Sequence, residues 1–208
     1  MVEQLVALMP EADQLLGKPI PIAAVKRLFE RADTSDARAL QRKVQWLIDT
    51  PERLVQYEAF AASSRLNLRI NLEIDVGLHR GGMEPDDKLA ATLQRLSDSE
   101  HMELSGLMGY EPHLTKLPNL AGWPKRAKKG AADRFREALA LVSAVFGEDH
   151  CDSMVRNMAG SPTFGLYTDT DLANEIAAGS ALVKPVTLIF TFLKTSCPQV
   201  LLRLRLSK

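Results

Sequence analysis

The chain has 208 residues, 46% of them apolar and 25% charged, enough for one domain with a sizeable core. Its 26 lysines and arginines balance its 26 aspartates and glutamates, so charge gives no case for a nucleic-acid or anionic-membrane partner. Two distant cysteines, Cys151 and Cys197, lack metal-ligand spacing and fit a reducing compartment. There is no apolar run of membrane-spanning length and no secretory leader pattern, so the expected location is the cytoplasm.

Ile22, Val25, Leu28, Phe29 and Ala32 recur at helical spacing. Val44 to Ile48 reads as a short buried strand, after which Thr50-Pro51-Glu52 opens a helix with threonine as N-cap and proline in its first turn. The apolar face of that helix includes Leu54, Tyr57 and Ala61. Residues 68–75, LRINLEID, alternate strictly: Leu68, Ile70, Leu72 and Ile74 face one way, and Arg69, Asn71, Glu73 and Asp75 the other. A helix carrying Leu89, Leu93 and Leu96 follows, then a strand at 102–108. The short basic cluster Lys125, Arg126, Lys128 and Lys129 reads as a solvated loop before a helix at about 131–146, whose stripe is Phe135, Ala138, Leu139, Val142 and Phe146. Residues 153–158 read as a further strand.

Strands alternating with helices imply a parallel sheet. Such strands are usually apolar on both faces, and LRINLEID is not. It is either an antiparallel strand with a wet face or a barrel strand whose interior is polar around a ligand. The flanking helices favour the barrel.

In a parallel barrel the chemistry gathers where strands end, and three such loops stand out. In Glu73-Ile74-Asp75-Val76-Gly77-Leu78-His79-Arg80-Gly81-Gly82-Met83, three glycines flank a histidine and an arginine. Arg80 can hold a fixed charge against an anion or a phenolate; the plain alternative is a glycine-rich turn with Arg80 paired to Asp75. In Gly106-Leu107-Met108-Gly109-Tyr110-Glu111-Pro112-His113, Tyr110 can hydrogen-bond a ring nitrogen or a carboxylate and His113 can move protons, or both are structural. Asn157-Met158-Ala159-Gly160-Ser161-Pro162-Thr163 offers backbone N–H groups and two hydroxyls in a small space, a phosphate cradle or an ordinary turn.

Together these segments resemble the D-threonine aldolase and D-serine dehydratase family, relatives of alanine racemase. EIDVGLHRGGM resembles the family's Glu-x-Asp-x-Gly-x-x-Arg-x-Gly segment and is the specific part of the match. GLMGYEPH, AGSPT and the later NEIAAGS (Asn174 to Ser180) support it in order and spacing, over about Leu15 to Pro185. The resemblance implies an α/β fold, a pyridoxal 5'-phosphate (PLP)-binding (β/α) TIM-type barrel of fold type III that is incomplete here. It implies Arg80 near the cofactor ring, Tyr110 at the pyridine nitrogen, Gly160, Ser161 and Thr163 at the phosphate, and His113 as a further contact. The implied activity is cleavage or dehydration of a D-β-hydroxy amino acid. An alanine-type racemase, a PLP-binding module without turnover and a gene remnant are the alternatives, and intact family members are homodimers.

Two departures limit what is expected of this chain. The family's Schiff-base lysine lies in an early segment like Arg-Pro-His-x-Lys-Thr, which is absent; neither Lys18 nor Lys184 stands in such a motif. The first strand or two and the C-terminal β domain are therefore expected to be missing, and the chain to be inactive alone. The second departure is the tail. Residues 1–186 read as the partial barrel and 187–208 as an aberrant tail. In a shifted frame, codons for Leu188-Ile189 can encode Phe-Asp and those for Leu193-Lys194-Thr195 can encode Leu-Glu-Asp, as a frameshift near Val186 would produce. The family's divalent metal (zinc or manganese) is bound by that absent region, so no competent metal site is expected.

Overall fold

In a computed structural model of the chain, the described residues are 2–9, 11–116, 122–167 and 171–177, with the backbone of 204–205. The elements are α1 (Val2–Leu8), β1 (Gln14–Leu15), α2 (Ile22–Arg31), α3 (Thr34–Lys43), β2 (Val44–Ile48), α4 (Pro51–Ser64), β3 (Leu68–Ile74), α5 (Asp87–Ser97), β4 (Met102–Gly109), α6 (Trp123–Phe146), α7 (Glu148–Ser153), β5 (Val155–Met158), β6 (Glu175–Ile176) and β7 (Leu204–Arg205). The strands lie side by side in chain order. Neighbours from β1 to β6 are parallel, and β7 runs antiparallel to β6.

Helix packing follows the same order: α2 meets α4, α4 meets α5, α5 meets α6, and α6 meets α7. A parallel sheet in sequential order, with its helices stacked in sequential order, winds as a barrel does rather than as a doubly wound open sheet. The six parallel strands form a half-barrel of the TIM type.

Local chemistry explains the boundaries. The Thr50 hydroxyl accepts from the Arg53 N–H at 3.2 Å with Pro51 behind it, the expected start of α4. The Asp86 carboxylate caps α5 by accepting from Lys88 and Leu89. Two helices escaped the sequence reading: α3, capped by Asp33 accepting from the Asp36 N–H at 2.8 Å, and the short α7. The helix expected from 131 starts instead at Trp123. Lys125, Arg126, Lys128 and Lys129 are thus exposed positions on its first turns, not a loop; lysine and arginine are good helix formers, and Pro124 suits the first turn.

The alternation in β3 sorts the two faces of the sheet. Leu68, Ile70, Leu72 and Ile74 are fully buried in the core that also holds Trp46, Leu89, Leu93 and Phe135. The tilted rings of Phe29, Trp46, Tyr57 and Phe60 stack within 6.2 Å and bind α2 and α4 to β2. The other face is polar yet also buried. Asn71 donates to Gln45 Oε1 at 3.1 Å across β3 and β2, and Asn157 donates to Glu175 Oε1 at 2.9 Å across β5 and β6. LRINLEID is therefore a parallel strand with a polar interior face. Of the tail in question, 187–208, only the backbone of 204–205 is among the described residues, and Lys184 lies outside them. No described helix is long and apolar enough to cross a membrane.

Phe135 is fully buried on α6 beside Gly109 at the end of β4. Phe135→Ala is expected to cost ~3–5 kcal/mol of stability, the usual price of emptying an aromatic site; chemical denaturation measures it.

Candidate functional site

Because β3, β4 and β5 are parallel neighbours, the loops that follow them open at the same edge of the sheet. The first loop folds back onto its own strand. Met83 N–H donates to Glu73 O at 2.8 Å, and Asp75 N–H donates to Met83 O at 2.9 Å. Gly82 makes this possible: its φ is +93°, and a Cβ there would stand 2.8 Å from Asp75 N.

Inside the loop, Asp75 Oδ1 accepts from the N–H groups of Gly77 and His79, each at 3.0 Å, and its Oδ2 meets His79 Nδ1 at 2.7 Å. These contacts hold His79 in the left-handed region at φ 54°. Burial alone would push the Asp75 carboxyl up, but the two N–H groups and the His79 ring outweigh it and hold it below the usual range. Arg80 is not paired to Asp75, the plain alternative from sequence. Its guanidinium donates to Glu73 Oε1 at 3.3 Å. Glu73 lies buried, and desolvation raises its pKa despite the opposing pull of Arg80.

Arg80 also lies over the Tyr110 ring, 4.6 Å from its centroid. Gly160 packs against the same ring, so closely that a Cβ would overlap it. Glu73, Arg80, Tyr110 and Gly160 thus form one continuous contact line from β3 to the turn after β5. The turn closes on itself: Gly160 N–H donates to Thr163 Oγ1 at 3.0 Å, and Thr163 and Phe164 N–H donate to Gly160 O, each at 2.9 Å. Ser161 and Thr163 are buried within it. His113, on the 3₁₀ turn Pro112–Thr115, faces the first loop: its Nε2 lies 3.9 Å from where a Gly77 Cβ would stand. Burial lowers the His113 pKa against the opposing charge of Asp75, and its Nδ1 is buried without a hydrogen-bond partner. All six residues singled out from sequence therefore gather at one end of the half-barrel.

Sequence reasoning passed over two acids here, Glu73 and Glu111. Glu111 is fully buried, and its Oε2 accepts from the Ala159 N–H at 3.3 Å. The available signal was an acid placed directly after an apolar strand, between the two residues that were singled out. Asp75, His79 and Glu84 bring ligand-type atoms within 4.8 Å of one another. The Asp75–His79 contact and Arg134, 3.8 Å from Glu84, account for that grouping without an ion. A cleft of about 530 Å³ opens at the opposite end of the strands, lined by Asp13, Arg69, Glu103, Ser105 and Asn174 among others, away from these loops.

Residues 3–185 match the family described as alanine racemase, N-terminal domain. The chain belongs to this family of fold type III PLP-dependent enzymes. It is 23% identical over 201 residues to an alanine racemase of Helicobacter pylori (strain G27), covering 94% of this chain and 49% of that protein. It shares its fold with the D-threonine aldolase of Filomicrobium marinum, at TM-score 0.66 and 16% identity over 85% of this chain and 45% of that one. It also resembles the D-threo-3-hydroxyaspartate dehydratase of Delftia sp. HT23, at TM-score 0.64 and 20% identity over 86% of this chain and 44% of that one. The chain spans about half the length of the relatives it matches.

The residues present fit the family's cofactor. A cation over an aromatic ring borders a tight Gly-Ser-Pro-Thr turn, and the close approach of Gly160 to Tyr110 brings the tyrosine and the turn together. Gly160→Ala is expected to displace Tyr110 and to destabilise the protein by ~1–3 kcal/mol, as overpacking does, with a matching drop in melting temperature. The lowered pKa of Asp75 makes a separate pH prediction. Its stabilisation is present above the unfolded value of about 3.9 and is lost as pH falls through the folded value. Thermal melts of Asp75→Asn between neutral and strongly acid pH should show a flatter acid limb than the parent.

Proposed function

We propose that this chain is the PLP-binding half of a D-amino acid lyase, cleaving or dehydrating a D-β-hydroxy amino acid. The observation that carries the reading is the Arg80 guanidinium on the Tyr110 ring, with Gly160 of the turn on the same ring. When bound, PLP supplies the electron sink that lets bonds at the amino acid's α-carbon break. Gly160, Ser161 and Thr163 would hold its phosphate and Tyr110 its ring nitrogen. Arg80, oriented by Glu73, adds a fixed positive charge beside the ring. His113, beside Tyr110 and facing the first loop, would be a further contact to cofactor or substrate, and burial lowers its pKa and so favours its neutral form.

The sequence holds no Arg-Pro-His-x-Lys-Thr segment, so the chain on its own is expected to bind PLP without a covalent bond and without turnover. The second reading, an alanine-type racemase, draws support from the alanine racemase matched along 94% of the chain. Tyr110 at the ring nitrogen, the residue that the aldolase and dehydratase resemblance assigns there, favours the lyase.

Titration with PLP, followed by quenching of tryptophan fluorescence, should saturate. Arg80→Ala should weaken binding about tenfold, equal to about 1.4 kcal/mol. Borohydride treatment should leave no phosphopyridoxyl group on the protein by mass spectrometry. Absence of saturable binding defeats the reading, and aldehyde release from D-threonine by this chain defeats the expectation of inactivity.

A further inference from the structure

Glu111 has an unusual position for an acid. It follows β4 directly, between Tyr110 and the 3₁₀ turn, and none of its surface reaches solvent. Its Oε2 accepts from the Ala159 N–H at 3.3 Å, the peptide immediately ahead of Gly160, and Ala159 itself is held at φ 71°. Oε1 is buried with no hydrogen-bond partner. The groups that bear most on the carboxyl are neutral: the hydroxyls of Thr163 and Tyr167 and the N–H groups of Ala159 and of Glu111 itself. The nearby cations are engaged elsewhere. Arg80 sits over Tyr110 and pairs with Glu73, and Lys128 of α6 lies 5.8 Å over the Tyr167 ring and donates to Leu166 O. His113, two residues on, faces Gly77 and the Asp75 carboxylate.

We propose that Glu111 is the positioning residue of the 159–163 turn: its carboxyl fixes the turn's backbone for a phosphoryl group, and that group binds only while the carboxyl is uncharged. The inference rests on the phosphate assignment made above for Gly160, Ser161 and Thr163. A buried acid that accepts from the Ala159 N–H gives the left-handed Ala159 its anchor. An ionised carboxylate in the same place would set a negative charge beneath a phosphate dianion, with little intervening water to screen it. Desolvation already favours the uncharged acid by raising its pKa, against the weaker pull of the hydroxyls and the N–H.

The test compares the 208-residue chain with Glu111→Gln and Glu111→Leu, using PLP and unphosphorylated pyridoxal as probes across a pH series from acid to alkaline. Glutamine keeps an acceptor for Ala159 and stays neutral. Relative to Glu111→Gln, the parent should lose on the order of tenfold in PLP affinity as its carboxyl ionises, with no such divergence for pyridoxal. Glu111→Leu should lose the preference for the phosphorylated probe at every pH. Melting temperature without ligand gives an independent readout. The parent's contribution from the neutral acid is full below the unfolded pKa of about 4.3 and is lost as pH rises through the raised folded value; Glu111→Gln should lack that decline. If the parent prefers PLP over pyridoxal while Glu111→Gln follows its pH curve, the role of Glu111 is overturned and the phosphate assignment stands. If the parent shows no preference for PLP, the phosphate assignment itself fails, and this inference with it.

Discussion

Parallel pairing of β3, β4 and β5 is the constraint from which the site follows. Each crossover returns the chain to the same starting edge, so the three ends carrying Arg80, Tyr110 and Gly160 reach the same rim although they are far apart in sequence. Strand spacing of about 4.8 Å then places consecutive loops within side-chain reach of one another. The guanidinium on the Tyr110 ring and the absence of a side chain at position 160 are how that nearness becomes contact.

Asp75, Glu73 and Glu111 are among the buried carboxyl groups near this rim, and each is accommodated differently. Asp75 stays charged because two backbone N–H groups and a histidine ring converge on it. Glu73 meets a cation, but burial still raises its pKa. Glu111 has only neutral neighbours, and burial governs it. Proximity to one rim therefore does not shift their pKa values the same way; what decides is which donors each loop happens to supply.

Much of this was readable from the residues. The strict alternation of LRINLEID placed β3 and its polar face, and the apolar runs placed β2, β4 and β5 to within a few residues. Glycines clustered after strands marked the loops. What could not be read depended on contacts distant in sequence. Arg80 had two acids of the same face to choose from, and His79 claims Asp75 through a left-handed turn that no pattern announces. Glu111 takes its meaning from Ala159, 48 residues away. The helix α3 was missed because few apolar residues mark it: only Leu40 is fully buried there, and it is its aspartate cap that gives it away. The expected aberrant tail falls mostly on residues outside those described.

The hydrogen-bonded side-chain pairs on the concave side of the sheet have a bearing on how the strands find one another. Asn71 with Gln45, and Asn157 with Glu175, alternate along their strands with side chains that point into the oily layer beneath the helices. Sliding β3 by a single position would carry Asn71 into that layer and leave Ile70 or Leu72 beside Gln45. Such partners work as keys that accept one alignment only. A barrel wall that must present an arginine, a tyrosine and a glycine at matched heights gains its vertical indexing from hydrogen bonds buried one or two layers lower down.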